Sequence, residues 1–195
     1  MKRIFFIALF SVFALAAFSQ SSLTALQYSV GFGTGDMHEY IGNTSWRGFT
    51  LDYRNMVQSN IGVGVDLGWN VFYEEMPDAV YEYENVTYAG KQWRYSNHFP
   101  ALLAADYYVR KGEMVSAFAG LGLGVMYSLQ NTNMGTYTFE KDAWHFALRP
   151  ELGLIIEASP GASLMVASKY YYGFKAGDLP AQGYVTVNVG FVFTR

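Results

Sequence analysis

The last residues of the chain, Gly183 to Arg195, set Val185, Val187, Val189, Phe191 and Phe193 on one face of an extended segment and Tyr184, Thr186, Asn188 and Gly190 on the other. Successive side chains of a strand point to opposite faces, so one face suits an apolar medium and the other suits small or polar neighbours. An apolar repeat of two residues is incompatible with a helix, whose stripe recurs about every 3.6 residues. The same alternation returns between turn signals along most of the chain and divides it into about eight segments. Whatever fold this chain takes must place many strands between two different surroundings.

The segments run Ala25 to Gly35, Trp46 to Met56, Ile61 to Tyr73, Trp93 to Arg110, Met114 to Gln130, Trp144 to Glu157, Ser163 to Phe174 and the closing strand. In the clearest of them, Ile61, Val63, Val65, Leu67, Trp69 and Val71 oppose Gly62, Gly64, Asp66, Gly68 and Asn70. Their connections sort by length. Tight turns at Gln58-Ser59-Asn60, Lys111-Gly112-Glu113 and Ser159-Pro160-Gly161 alternate with long polar loops at Asp36 to Ser45, Glu74 to Lys91, Asn131 to Asp142 and Lys175 to Gln182. Short turns on one side and long loops on the other are the asymmetry of a membrane barrel, and most segments reach the roughly 9 to 11 residues a tilted strand needs to cross a bilayer.

The start of the chain agrees. Met1 to Ser19 has a charged head at Lys2 and Arg3, an apolar run from Ile4 to Phe18 and a small-residue site at Ala17-Phe18-Ser19. This is the pattern of a signal peptide cleaved before Gln20, and its apolar run is shorter than the roughly 17 to 25 residues of a spanning helix. The expected organisation is therefore a signal peptide at 1–19 and one barrel domain at 20–195. No cysteine occurs, so the exported chain has neither disulfides nor a lipid-attachment thiol. A net charge of −3 with 15% charged residues excludes a basic platform for nucleic acid.

Alternation alone leaves open whether the apolar face looks out to lipid or in to the core of a soluble barrel. The charges choose. Asp52, Arg54, Asp66, Asp106, Arg110, Arg149, Glu151, Glu157 and Lys169 all share the face that carries the glycines. On the outside of a soluble barrel that face would be polar throughout rather than studded with glycine. On the inside, glycine relieves crowding and opposite charges pair, as buried charges require. Rings sort as well. Trp69, Phe72, Tyr73, Trp93, Tyr95, Tyr127, Trp144, Tyr170, Tyr172 and Phe174 fall at loop ends, and Tyr28, Tyr53, Tyr107, Phe191 and Phe193 at turn ends, as two interfacial belts would demand.

In its signal segment, its eight alternating strands and its terminal strand, the chain resembles small bacterial outer-membrane β-barrel proteins of the eight-stranded type. The resemblance implies an all-β, eight-stranded antiparallel up-and-down transmembrane β-barrel in the cell outer membrane. Its partners would be membrane lipid, lipopolysaccharide and, during biogenesis, the barrel-assembly machinery. In that family the last strand is the insertion signal and ends on a ring; Tyr184, Val185, Val187, Val189, Phe191 and Phe193 match it, and Thr194 and Arg195 extend past it.

Chemistry is sparse. Gly120-Leu-Gly122-Leu-Gly124 keeps strand period with no helix following, which removes it from nucleotide binding. His38, His98 and His145 lie on separate segments without metal-ligand spacing, so no metal and no cofactor are expected. Ser96 and His98, two apart, share one face near a loop end and constitute a minor expectation of a hydrolase or lipid-modifying enzyme. The interior charges predict a plugged core, with a narrow solute conduit as the alternative. Tyr73, Tyr81, Tyr83, Tyr88 and Trp93, amid Glu74, Glu75, Asp78, Glu82 and Glu84, form either an extracellular contact surface or a strand extension packed on itself. The function expected is an envelope scaffold or a surface interaction protein acting through its outer loops.

Overall fold

The computed structural model describes residues 21–83, 86–109 and 114–195. The signal segment, Glu84, Arg110 and the turn at 111–113 lie outside the described residues. Eight strands form a closed antiparallel barrel in sequence order: β1 (Ser22–Thr34), β2 (Arg47–Gln58), β3 (Ile61–Tyr83), β4 (Val86–Val109), β5 (Val115–Met134), β6 (Tyr137–Ser159), β7 (Ala162–Gly173) and β8 (Gln182–Thr194). The terminal strands close the ring, from Leu23 opposite Thr194 to Thr34 opposite Gly183, and Ser22 and Arg195 exchange two backbone hydrogen bonds at the seam.

Burial follows residue parity. On β2, Asp52, Arg54 and Met56 are buried and Leu51 and Tyr53 exposed; on β8, Thr186 and Asn188 are buried while Val187, Val189 and Phe191 are exposed. Leu26, Leu103 and Leu152 stand 56%, 63% and 67% exposed in the middle of their strands, an oily outer wall that only lipid makes favourable. Rings cross-link the strands on that wall. Phe49 meets Trp69 at 5.8 Å, Trp69 meets Phe99 at 6.0 Å, Phe99 meets Tyr127 at 6.3 Å and Tyr127 meets Trp144 at 5.1 Å, one unbroken row toward the loop ends. Two rings depart from the expected sorting. Tyr28 stands opposite Phe49 and donates to the Trp46 carbonyl, so it reaches toward the loop end rather than the turn end. Phe72 is buried inside.

Asn131 to Asp142, expected as a loop, is strand, and Glu74 to Lys91 takes the strand-extension alternative. β3 pairs with β4 from Ile61–Tyr107 to Tyr83–Val86, and β5 with β6 from Val115–Ile156 to Met134–Tyr137. The ladder between β2 and β3 ends at Arg47–Val71 and that between β6 and β7 at Ala147–Gly173, so the upper halves of β3 to β6 form an open four-stranded sheet beyond the barrel. Alternation fades there because outside hydrocarbon the outward face meets water, while the backbone ladder continues. The free edge of β3 is blunted by Pro77 and a register break between Met76 and Ala79.

The Asp36 to Ser45 connection folds inward. It holds a short helix, α1 (Asp36–Tyr40), whose Met37, with the following Ile41, is fully buried at the barrel mouth. Arg94 Nη1 donates to the Tyr40 carbonyl at 2.9 Å with its guanidinium 5.3 Å from the Tyr40 ring centroid, and the Gly42 amide donates to Glu74 Oε2 at 2.8 Å. The mouth is thus closed by a lid pinned to the β3–β4 extension.

The outer wall is sensitive to charge. Leu103→Arg, at the middle of β4, is expected to cost about 2–4 kcal/mol of barrel stability, measured by guanidinium unfolding in lipid vesicles.

Candidate functional site

The inward side chains form three layers. Nearest the turns, Leu23, Ala25, Met56, Tyr108, Phe118, Ile155, Met165, Ala167 and Val192 make an apolar plug. Near the loops, Phe72, Leu102, Met126, Ala147, Tyr171 and Tyr184 pack beneath Met37 and Ile41 of the lid region. Between them lies the charge layer.

Each charged member is placed there by strand parity and held by partners from distant strands. Arg54 Nε donates to Asp106 Oδ2 at 2.6 Å, and its Nη1 to the Val65 carbonyl at 2.7 Å. Arg149 Nη2 lies 3.1 Å from Asp66 Oδ2 and the same guanidinium is ion-paired with Glu151, which also receives Arg54 Nη2 at 3.4 Å. Lys169 Nζ sits between Asp52 at 2.8 Å and Asp66 at 3.0 Å, with Glu151 at 3.8 Å. Gln27 adds a 2.6 Å bond to Asp52. Asp52 and Asp66 are direct cross-strand neighbours, a repulsive pairing that the ammonium converts into a bridge.

Glycine makes the room. A Cβ at Gly120 would lie 2.1 Å from Asp106 Oδ1 and 2.8 Å from Glu151 Oε1, and one at Gly122 would lie 3.0 Å from Arg149 Nε, so these two glycines make room for charged side chains, while Gly124 lies against the Ala101 carbonyl and Leu102. Carboxylate oxygens of Asp52, Asp66 and Glu151 come within 4.8 Å of one another, as metal ligands would, but the Lys169 ammonium takes the central place. The charge layer meets the apolar plug around a cavity of about 10 Å³, room for one water at most, since a water needs on the order of 10–15 Å³.

Of the expected interior charges, Asp52, Arg54, Asp66, Asp106, Arg149, Glu151 and Lys169 converge. Glu157 does not. Its parity is right, but it lies at the turn end beside a register break at Glu157/Ser159, where the inner face is already at the solvent rim, and it is exposed. Ser96 Oγ and His98 Nε2 are 3.0 Å apart, as a nucleophile and base would be, yet His98 Nδ1 faces Ser128 Oγ at 2.9 Å, and all three residues are fully buried beneath the lid. His145 Nδ1 is taken by the Phe174 carbonyl at 2.7 Å. These histidines complete the upper layer rather than face a substrate. Tyr184 also points inward, stacked on Tyr171 at 4.9 Å, so the lipid face of β8 is carried by Val185, Val187, Val189, Phe191 and Phe193.

On the extension, the Tyr73 and Tyr95 rings are 4.8 Å apart, Tyr81 donates to the Pro77 carbonyl, and Tyr88 and Trp93 are half-buried. Tyr83 enters by its backbone, opposite Val86. Lys91 Nζ bonds Glu75 Oε1 at 2.5 Å, and that carboxylate holds the ammonium above its ordinary range. The lid was missed in the sequence; its one signal was Met37 and Ile41 standing apolar within a polar stretch.

An oily wall, a ring belt and a filled ionic interior define a small transmembrane β-barrel. The protein has the fold of the eight-stranded outer-membrane β-barrel proteins, and solved structures agree. It is similar to Neisserial surface protein A with a TM-score of 0.55 and 10% identity, over 89% of this chain and 96% of that one. Outer membrane protein OprG from Pseudomonas aeruginosa gives 0.54 and 15%, over 91% and 97%. Ail, the attachment invasion locus protein of Yersinia pestis, gives 0.52 and 15%, over 89% and 98%. Comparison of the sequence with protein families and with curated proteins gives no match.

Removing one buried partner strands the others. Lys169→Met leaves Asp52 without its cation and Asp66 with Arg149 alone, and is expected to destabilise the barrel by about 3–5 kcal/mol, read from denaturant unfolding in micelles. Glu157→Gln, at the rim, is expected to stay within about 0.5 kcal/mol in the same assay.

Proposed function

We propose that the protein is exported by segment 1–19, inserted into the outer membrane with β8 read by the barrel-assembly machinery, and works there as an envelope anchor that presents the β3–β6 extension at the cell surface. One combination of features carries this reading: the barrel is filled along its length by described side chains and lidded by α1, while four strands continue beyond the bilayer belt. A barrel of eight strands has room for side chains but not for an aqueous channel, and here that room is taken. The extension is then the part with something to contact, through Tyr73, Tyr81, Tyr83, Tyr88 and Trp93. Support from neighbours is limited to their names: one is a surface protein and one an attachment protein.

The short turns face the periplasm in this arrangement, and the lid and extension face outward. In planar bilayers the refolded protein is expected to give no steady conductance at neutral pH; a stable open level would replace the anchor with a conduit. Deleting residues 77–91 is expected to leave a barrel that migrates compact in unheated SDS and shifts on boiling, while cell-surface attachment falls. Unchanged attachment, envelope integrity and stress survival would count against the extension as the working part.

A further inference from the structure

The upper interior layer holds a nitrogen prepared for a partner that the described side chains do not supply. His145 Nδ1 meets the Phe174 carbonyl at 2.7 Å, and a carbonyl only accepts, so Nδ1 carries the proton and the neutral ring keeps its lone pair on Nε2. That Nε2 is buried with no hydrogen-bond partner. An imidazole oriented by an Nδ1–H bond to a backbone carbonyl, with Nε2 bare, is the arrangement found in metal-ligating histidines.

Strand register brings soft donors beside it. Met126 is the direct cross-strand neighbour of His145, and both are fully buried on the inner face. Its thioether is held only by a weak bond, Tyr184 Oη donating to Sδ at 3.7 Å. The Tyr184 ring stands 5.0 Å from that of His98, whose Nδ1 meets the hydroxyl of Ser128, two residues along β5 from Met126. Gly173 keeps the space open: a Cβ there would lie 2.5 Å from Met126 Cε and 3.0 Å from His145 Cβ. The three donors come from β4, β5 and β6, so spacing along the chain shows no ligand pair.

The donor types select the ion. Thioether sulfur suits Cu(I), and imidazole serves it as well. Calcium and magnesium take oxygen ligands, yet among the described residues no carboxylate oxygen joins the two imidazoles in a ligand group. Charge agrees, because the layer next below sets four carboxylates against three cations among the described residues, and a single positive charge above it offsets the difference. Access agrees too. His98 and His145 adjoin Phe99 and Trp144 of the outer ring row, and Met37 of the lid packs in the same buried cluster as Met126. An ion passing the lid from outside therefore meets sulfur before nitrogen.

We propose that the barrel mouth beneath α1 is a binding site for a soft monovalent metal cation, Cu(I), with His145 Nε2 and Met126 Sδ as ligands and His98 joining them by exchanging its bond to Ser128. The site lies inside the barrel and goes beyond the role given to the extension.

The test uses the full mature chain refolded in micelles, loaded with Cu(I) under ascorbate without oxygen and challenged with a chromogenic Cu(I) chelator. One Cu(I) per chain is expected to be retained, with X-ray absorption showing both sulfur and imidazole nitrogen bound to it. Met126→Leu keeps the bulk and removes the sulfur, and His145→Gln removes the bare nitrogen; each is expected to weaken retention at least about tenfold. Only protein that migrates compact in unheated SDS is counted, and the variants lie on different strands, so a folding failure in one leaves the other to decide. His38→Ala with Met114→Leu, both exposed donors outside this layer, is expected to change nothing. No retained Cu(I), unchanged retention in either folded variant, loss of retention in the His38 and Met114 variant, or tighter holding of Zn(II) than of Cu(I) overturns the inference. Deleting residues 77–91 is expected to leave Cu(I) bound, so the attachment role and this site fail separately.

Discussion

Backbone amides and carbonyls inside hydrocarbon have no water to bond, so a sheet can sit there only if it has no edge. The pairing of β1 with β8 satisfies that requirement, and the rest of the molecule follows from it. Closure at eight strands fixes a bore too narrow for bulk water and too wide to leave empty. The inward residues must then fill it, and the polar ones must satisfy one another. Where the requirement lapses, above the ring belt, the sheet opens at β3 and β6, and the edge is guarded instead by proline and a register break.

The interior shows what filling demands. Four carboxylates and three cations share one level among the described residues, and each cation is bound to carboxylates from more than one strand or to a backbone carbonyl besides. Apolar layers on both sides keep solvent from screening these contacts. That arrangement makes the layer strong when complete and costly when any member is missing. It also leaves little freedom for the barrel to act by its interior, which shifts attention to the extension.

Strand number, faces and the inward direction of the charges were legible because a period of two assigns every residue to a side, and because charges cannot face lipid. Even the buried position of Ser96 and His98 follows from parity with Leu102 and Asp106. What escaped had lost that periodicity. Beyond the hydrocarbon, Glu74 to Lys91 and Asn131 to Asp142 keep their ladders while their alternation fades, so the second read as a loop and the first as either a loop or a strand extension. Glu157 shows the opposite limit: parity gives a side but not a depth, and at the rim the inner side is already wet. The lid lay outside the strand pattern, since Met37 and Ile41 are buried with Phe72, Leu102, Met126 and Tyr184, residues of strands β3, β4, β5 and β8.

Lys169 belongs to β7, whereas Asp52 and Asp66 belong to β2 and β3 on the far side of the ring. A sheet still lacking its final strands therefore holds Asp52 without its cation and Asp66 with Arg149 alone. The ionic layer acts as a checkpoint on assembly: partial sheets carry an electrostatic penalty that is relieved only when the C-terminal strands arrive, so the transition from open sheet to finished barrel becomes nearly all-or-none.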